Sequence, residues 1–134
     1  MTKVKCSYLG NLNCEAIHIQ SGSLIRTDAP LDHCGKGENF SPTDLLATSL
    51  GTCLLTIMAI KAKSNGIEFE GIYLNIEKLM TQNSERKIKE LIIDIFIPER
   101  ASNETINFLK KASEDCPVTR NLSQEIDIKI SWHH

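Results

Sequence analysis

Apolar and polar residues alternate along both ends of the chain, and this alternation predicts β-strands there. The predicted strands cover residues 3–9, 15–20 and 23–27 near the N-terminus, 71–81 and 87–97 further along, and 125–132 near the C-terminus. Val4, Cys6 and Tyr8 share one face of the first strand. The polar residues 82–85 join the fourth and fifth strands into a long antiparallel hairpin. Residues 28–40 contain Pro30, Gly35 and Gly37 and predict a loop.

A long helix is predicted between the two groups of strands. Ser41-Pro42-Thr43-Asp44 combines a hydroxyl N-cap, proline at the first helical position and a carboxylate three residues after the cap. Residues 45–60 are apolar on nearly every face, and this segment is too short to predict a membrane span. Asn65-Gly66 is a typical helix end. Because a helix that is apolar all round must be covered all round, and one small sheet covers only one side, we expect a homodimer.

A second helix is predicted over residues 103–115, where Ile106, Leu109 and Ala112 form one apolar stripe and Pro117 ends the helix. The element order is then βββ-α-ββ-α-β with antiparallel hairpins, which indicates the α+β class with a long buried central helix. The chain has 134 residues, no internal repeat and no linker-like segment. We therefore expect one domain over residues 1–134.

Composition narrows the classes of function. Hydrophobic residues make up 41% and charged residues 24% of the chain, which excludes disordered and fibrous proteins. Fifteen basic and seventeen acidic residues give a net charge of −2. Without a basic excess, we expect neither a nucleic-acid partner nor an anionic membrane partner. The first residues contain no apolar run of signal-peptide length, which favours a cytoplasmic location.

The candidate chemistry lies in the cysteines. There are five: Cys6, Cys14, Cys34, Cys53 and Cys116. An odd number in a reducing compartment argues against a disulfide framework and for buried or reactive thiols. Cys53 and Cys116 are either inert buried side chains or a redox pair that folding brings together, which requires Cα atoms within about 7 Å. The residues by themselves leave both interpretations open.

No metal site is expected. Cys34 follows His33 in the predicted loop, but the chain lacks the paired cysteine and histidine spacings typical of zinc sites. Cys6 and Cys14 are predicted strand residues with no assigned role.

Two motifs resemble those of the OsmC/Ohr family, named for osmotically inducible and organic hydroperoxide resistance proteins. Residues 40–53, Phe-Ser-Pro-Thr-Asp-Leu-Leu-Ala-Thr-Ser-Leu-Gly-Thr-Cys, resemble its first active-site motif, in which a cysteine follows the helix-start proline by eleven residues. Cys116-Pro117-Val118, followed by a polar run and Leu122, resembles its second motif. Residues 27–30 and 35–37 resemble the loop before the helix. With the same element order, the resemblance covers essentially the whole chain.

This resemblance implies a tightly intertwined homodimer that reduces organic hydroperoxides as part of an antioxidant stress response. By motif position, Cys53 is the attacking thiol, which becomes a sulfenic acid, and Cys116 is the resolving thiol, which converts it to a disulfide. The implied substrate is a small-molecule hydroperoxide and the implied reductant an external dithiol. No cofactor is implied, because the cysteines carry the electrons.

Activation of Cys53 requires a group that stabilises its thiolate. Cys53 lies about three turns into its helix, beyond the reach of the helix dipole, so a cation is expected to activate it. In hydroperoxide-resistance members an arginine–glutamate pair holds the thiol, and the glutamate directly follows the motif proline. Here that position is Thr43, and Asp44 comes next. Candidate activating or orienting residues are Arg26, Asp44 and Arg120. Each arginine could equally be a surface charge, and Asp44 stabilises the helix start in either case.

The departure at Thr43 keeps two other interpretations open. One is a non-enzymatic dimer of the same fold that binds a small molecule or senses oxidation through its thiols. The other is a purely structural dimer with incidental thiols.

Overall fold

Two three-stranded sheets and three α-helices make up the fold in a computed structural model, which describes residues 1–134. In chain order the elements are β1 (Val4–Gly10), β2 (Asn13–His18), β3 (Leu24–Asp28), α1 (Pro42–Ser64), β4 (Tyr73–Met80), β5 (Ile88–Phe96), α2 (Asn103–Ser113), α3 (Pro117–Asn121) and β6 (Asp127–His133). One 3₁₀ turn, Leu31–His33, precedes α1. The predicted α+β class is confirmed. The chain groups into two compact units, Met1–Leu46 and Ala47–His134, and the single domain stays a prediction.

In the first unit, β1, β2 and β3 form an antiparallel sheet in sequence order. The pairing aligns Cys6 with Ala16 and Ala16 with Ile25, so these side chains share one face with Val4 and Tyr8. We call these five residues the N-terminal apolar face. Val4, Tyr8 and Ile25 are each about half or more exposed, and the buried residues of this unit, Thr27, Asp28 and Ser41, are polar. This sheet therefore has no apolar core of its own.

Both predicted ends of α1 are confirmed. The Ser41 hydroxyl accepts a hydrogen bond from the Asp44 N–H at 3.1 Å, and the Asp44 carboxylate accepts one from the Ser41 N–H at 2.8 Å. This reciprocal pair is a capping box. At the other end Gly66 has φ +65°, and the Ile67 N–H closes onto the Ala62 carbonyl at 2.9 Å. A glycine in that conformation is the usual way for a helix to end.

The apolar segment 45–60, predicted to be too short for a membrane span, is part of the longer helix α1. The helix has 23 residues, because it continues past the last apolar residue through Lys61 and Lys63 to Ser64. By length and composition alone it could cross a membrane. The same composition is found in core helices of soluble proteins, and one face of α1 does pack into an apolar core.

The second unit contains that core. β4, β5 and β6 form a sheet in that order, and Leu91, Ile93 and Ile95 alternate along β5 as fully buried side chains. Facing helices contribute buried residues to the same core: Leu50, Leu54, Met58 and Ala62 from α1, and Ile106, Leu109 and Ala112 from α2. At Gly51 a Cβ would lie 3.0 Å from the Leu74 side chain, so α1 and β4 approach closely just before Cys53.

One sequence expectation about the end of the chain is wrong. The predicted helix 103–115 ends at Ser113, and Pro117, expected only to stop it, occupies the first turn of a further helix, α3. The predicted last strand is present as β6, and it pairs with β5 in parallel, with Glu90 opposite Asp127, a direction that the sequence pattern did not predict. A parallel pair needs a crossover connection, and here the crossover carries α2, Cys116 and α3.

Candidate active site

Folding brings Cys53 and Cys116 together. Cys53 lies half-buried in the middle of α1, and Cys116 is fully buried at the N-cap of α3. Both are free thiols, and their side chains interact through a hydrogen bond. The two cysteines that the motifs single out are therefore neighbours in space, although 62 residues separate them along the chain. Their roles as attacking and resolving thiols stay predictions.

The surroundings shift the pKa values of the two thiols in opposite directions. Burial raises the pKa of Cys53, the hydrogen bond to Cys116 raises it further, and the N–H of Val118 partly offsets both. For Cys116, burial also raises the pKa, but hydrogen bonds from Cys53, from the Thr119 hydroxyl and from the N–H groups of Thr119 and Val118 outweigh burial and lower it. In the reduced pair the negative charge is thus more stable on Cys116, with Cys53 as the S–H donor.

The position of Cys116 explains this order. With Pro117 as the first residue of α3, Val118 and Thr119 are the second and third, whose N–H groups have no partner inside a helix. They act on the Cys116 sulfur in a geometry looser than a regular capping hydrogen bond. Sequence reasoning missed Val118 and Thr119 as functional residues. The available signal was Pro117, since proline is common at the first position of a helix.

An open groove of about 400 Å³ leads to the cysteine pair. We call it the Cys53 groove. One wall is a stripe of α1 and the other is the start of α3, and the lining residues are Ser49, Thr52, Cys53, Thr56, Ile57, Ile60, Pro117 and Val118. The lining is mainly apolar, with three hydroxyls on the α1 side. Because Cys53 lines the groove and Cys116 is fully buried, a molecule entering the groove meets Cys53 first.

One carboxylate beside the pair binds two cations. Asp115 directly precedes Cys116, and its side chain forms ion pairs with Lys61 of α1 and, at 3.1 Å, with Arg120 of α3. The hydrogen bond and charge of Lys61 lower the pKa of Asp115, with a smaller contribution from Arg120. Arg120, a predicted activating residue, is thus bound to Asp115. Neither Lys61 nor Asp115 was assigned to the site from sequence, because no local pattern links residues so far apart.

The other two activating candidates also have carboxylate or backbone partners. Arg26 lies in β3 with a side chain 62% exposed and pairs with Glu15 of β2 at 3.6 Å. Asp44 makes the capping box with Ser41, as the sequence predicted for its structural role. An activating role for Arg26, Asp44 or Arg120 stays a prediction.

The remaining cysteines belong to the first unit. Cys6 and Cys14 are on β1 and β2, and Cys34 is exposed in a left-handed conformation, φ +68°, after the 3₁₀ turn. No cluster of three or more histidine, cysteine, aspartate or glutamate side chains is arranged to hold a metal ion.

Comparison with known proteins agrees with this fold and these motifs. The OsmC-like protein family model matches residues 35–131. A crystal structure of a candidate osmotic stress induced and detoxification response protein from Psychrobacter arcticus 273-4 is 41% identical, covers 99% of this chain and 96% of that one, and superposes with a TM-score of 0.91.

A more distant solved structure has the same fold, and a further relative is similar in sequence. The structure of an organic hydroperoxide resistance protein OsmC from Legionella pneumophila is 21% identical, covers 100% of this chain and 97% of that one, and has a TM-score of 0.78. The uncharacterized protein YmaD of Bacillus subtilis (strain 168) is 23% identical over 95% of this chain and 89% of its own length. The extent of the family match and the 41% identity over nearly the full length show that this chain belongs to the OsmC-like family.

Proposed function

We propose that this protein is a thiol-dependent peroxidase that reduces organic hydroperoxides through Cys53 and Cys116. The observation that carries this proposal is the interacting thiol pair at an apolar groove, with one thiol facing the groove and the other buried behind it. The name of the Legionella relative, an organic hydroperoxide resistance protein, and the detoxification response named for the Psychrobacter relative support a role in handling peroxides. Five free thiols favour a reducing, cytoplasmic setting.

In the first step, the Cys53 sulfur attacks the terminal oxygen of a hydroperoxide in the groove. The S–O bond forms, the O–O bond breaks, and the alkoxide takes up a proton and leaves as the alcohol. Cys53 loses its proton in this step, and the departing alkoxide takes that proton up, so that Cys116 stays available for the second step. The peroxide is reduced by two electrons, and Cys53 becomes a sulfenic acid.

In the second step, the Cys116 sulfur attacks the sulfur of the Cys53 sulfenic acid. A disulfide forms and hydroxide leaves, to be protonated to water. The lowered pKa of Cys116 favours this step, because the thiolate is the nucleophile. An external dithiol then reduces the disulfide by exchange, and both thiols are restored.

The shape and lining of the groove favour an organic peroxide. Ile57, Ile60, Pro117 and Val118 offer apolar surface beside Cys53, and burial of each methylene of a substrate tail contributes about 0.8 kcal/mol. Hydrogen peroxide has no alkyl tail, so it gains no binding free energy from these contacts.

The proposal includes a homodimer. The N-terminal apolar face is exposed in the single chain, and a three-stranded sheet needs a covering element for its apolar face to be stable. A second copy of the chain is the proposed cover. We expect Ile25→Glu, on this face, to dissociate the dimer, and Ser7→Glu, on the other face of β1, to leave it intact. Light scattering after gel filtration measures the mass of each, and a monomeric native protein contradicts the proposal.

The enzyme activity is tested by consumption of cumene hydroperoxide with dithiothreitol in excess. We expect Cys53→Ser to abolish consumption. We expect Cys116→Ser to retain one fast oxidation per chain but to form no internal disulfide, and Cys34→Ser, which changes an exposed cysteine of the first unit, to behave as the native protein. Mass spectrometry of the peroxide-treated native protein should find Cys53 linked to Cys116. Normal turnover in Cys116→Ser would refute the resolving role.

A second candidate function is a thiol-based redox sensor or small-molecule binder on the same dimeric fold. The raised pKa of Cys53 and the threonine at position 43 favour it, since both argue against a fast peroxidatic thiol. A sensor or binder would consume one equivalent of peroxide or ligand per chain and show no turnover in the same assay.

A further inference from the structure

We propose that Asp115 is a positioning residue, which holds Cys116 where it can close a disulfide with Cys53. This inference rests on the proposed redox role of the pair. Its basis is one carboxylate that ties together the two elements carrying the cysteines: Asp115 binds Lys61 of α1 through Oδ2 and Arg120 of α3 through Oδ1.

Because of where these ion pairs lie, Asp115 restrains the position of Cys116 relative to α1. Residues 114–116 are the turn between α2 and α3, and Cys116 is its last residue. Lys61 lies eight residues beyond Cys53, about 12 Å along the axis of α1. The turn is therefore attached to α1 at two separate points, the cysteine pair and the ion pair. A segment held at two points has less freedom to pivot than one held at the cysteine pair alone.

Disulfide closure is sensitive to such a pivot. The bond requires an S–S separation near 2.05 Å and a restricted dihedral angle, so it forms only over a narrow range of relative positions of the two cysteines. Small misplacements of reacting groups lower the rate and equilibrium of such a step steeply. Releasing the turn from Lys61 should thus reduce the effective concentration of one thiol toward the other.

The Arg120 contact completes the arrangement. Without it, Asp115 would link the turn to α1 only. With it, α3, which begins directly after Cys116, is tied to the same carboxylate. Arg120 thereby acts through Asp115 and needs no contact with either sulfur.

The test measures disulfide formation without peroxide. The protein is equilibrated with reduced and oxidised glutathione, and the fraction with the Cys53–Cys116 disulfide is determined by alkylation and mass spectrometry. The other three cysteines are replaced by serine to simplify the products: Cys6, Cys14 and Cys34. The ratio of glutathione concentrations at half-oxidation gives the effective concentration of the pair.

We expect Asp115→Asn to lower this effective concentration about three- to fivefold, the effect of losing a partly exposed ion pair. Asp115→Glu keeps the negative charge and should restore most of the effective concentration. The control is Glu68→Gln, which removes a more exposed ion pair, to Arg100 at 3.4 Å. It should leave the effective concentration unchanged. If Asp115→Asn does not fold, Lys61→Gln removes the same contact from the other side.

The outcomes separate this inference from the proposed function. A native-like value in Asp115→Asn or Lys61→Gln overturns the positioning role, as does an equal loss in Glu68→Gln, which would indicate general destabilisation. A selective loss with recovery in Asp115→Glu supports it. Because no peroxide is used, a protein that lacks peroxidase turnover refutes the proposed function and still allows this result.

Discussion

The Cys53 groove predicts a defined dependence of activity on the length of the peroxide tail. From Cys53 the groove follows α1 toward its C-terminus as far as Ile60, seven residues on, or about 10 Å at 1.5 Å per residue. With C–C bonds near 1.5 Å, an extended alkyl chain advances about 1.3 Å per carbon. On the order of eight carbons should therefore lie along the groove.

Each buried methylene contributes about 0.8 kcal/mol, which corresponds to roughly a fourfold gain in kcat/KM. We expect kcat/KM for linear primary alkyl hydroperoxides to rise by up to this factor per carbon and to level off near eight carbons. The assay is steady-state peroxide consumption with dithiothreitol in excess, over a series of increasing tail length.

Ile60→Ser tests the far end of the groove. The Ile60 side chain is 56% exposed, so its replacement should cost little stability. We expect kcat/KM to fall about four- to fifteenfold for the longest tails, the equivalent of one to two methylenes, and to stay unchanged for the shortest. Leu79→Ser, an exposed apolar residue on β4, is the control. Equal kcat/KM for all tail lengths, or an equal loss for short and long tails in Ile60→Ser, would refute the reasoning.

Three further predictions concern single groups. Cys116→Ala should lower the pKa of Cys53, because the hydrogen bond and charge of Cys116 raise it; the rate of iodoacetamide labelling against pH measures this, and an unchanged profile contradicts it. Gly35→Ala should destabilise the fold by about 1–3 kcal/mol in urea unfolding, since its Cβ would lie 1.6 Å from the Ala29 carbonyl oxygen and the backbone must move. Asp115 has a lowered pKa, so its ion pairs stabilise the fold above the ordinary aspartate pKa of about 3.9 and are lost as the pH falls through the depressed value. Stability of Asp115→Asn should accordingly depend less on pH in this acid range.

Local sequence signals predicted the start and end of α1 well. Ser41 and Asp44 are three residues apart, and Gly66 is the residue that best adopts a positive φ, so each signal acts within one turn of chain. The direction of β6 could not be predicted in this way. Its alternating residues pack equally well in a parallel or an antiparallel pair, and the choice depends on the path of the preceding crossover.

In the candidate site, too, local signals could be predicted and contacts between distant residues could not. Cys53 and Cys116 were found through their motifs, whereas periodicity identified them only as buried residues. The Lys61–Asp115 ion pair joins positions 54 residues apart, and a lysine in the last turns of a helix has a sufficient local explanation in the helix dipole. The pKa order of the two thiols also escaped prediction, because it depends on how Pro117 starts a new helix.

The long crossover between β5 and β6 is also expected to slow the last stage of folding. Joining Glu90 to Asp127 closes a long loop, and such non-local pairings form slowly. We expect that, until that strand docks, Cys116 has no fixed position and Cys53 lacks its partner thiol. A nascent or partly unfolded molecule would therefore be open to mixed disulfides and irreversible sulfinic acid formation at Cys53. Refolding under reducing conditions should avoid this loss, and the yield of active protein in the presence and absence of dithiothreitol would reveal it.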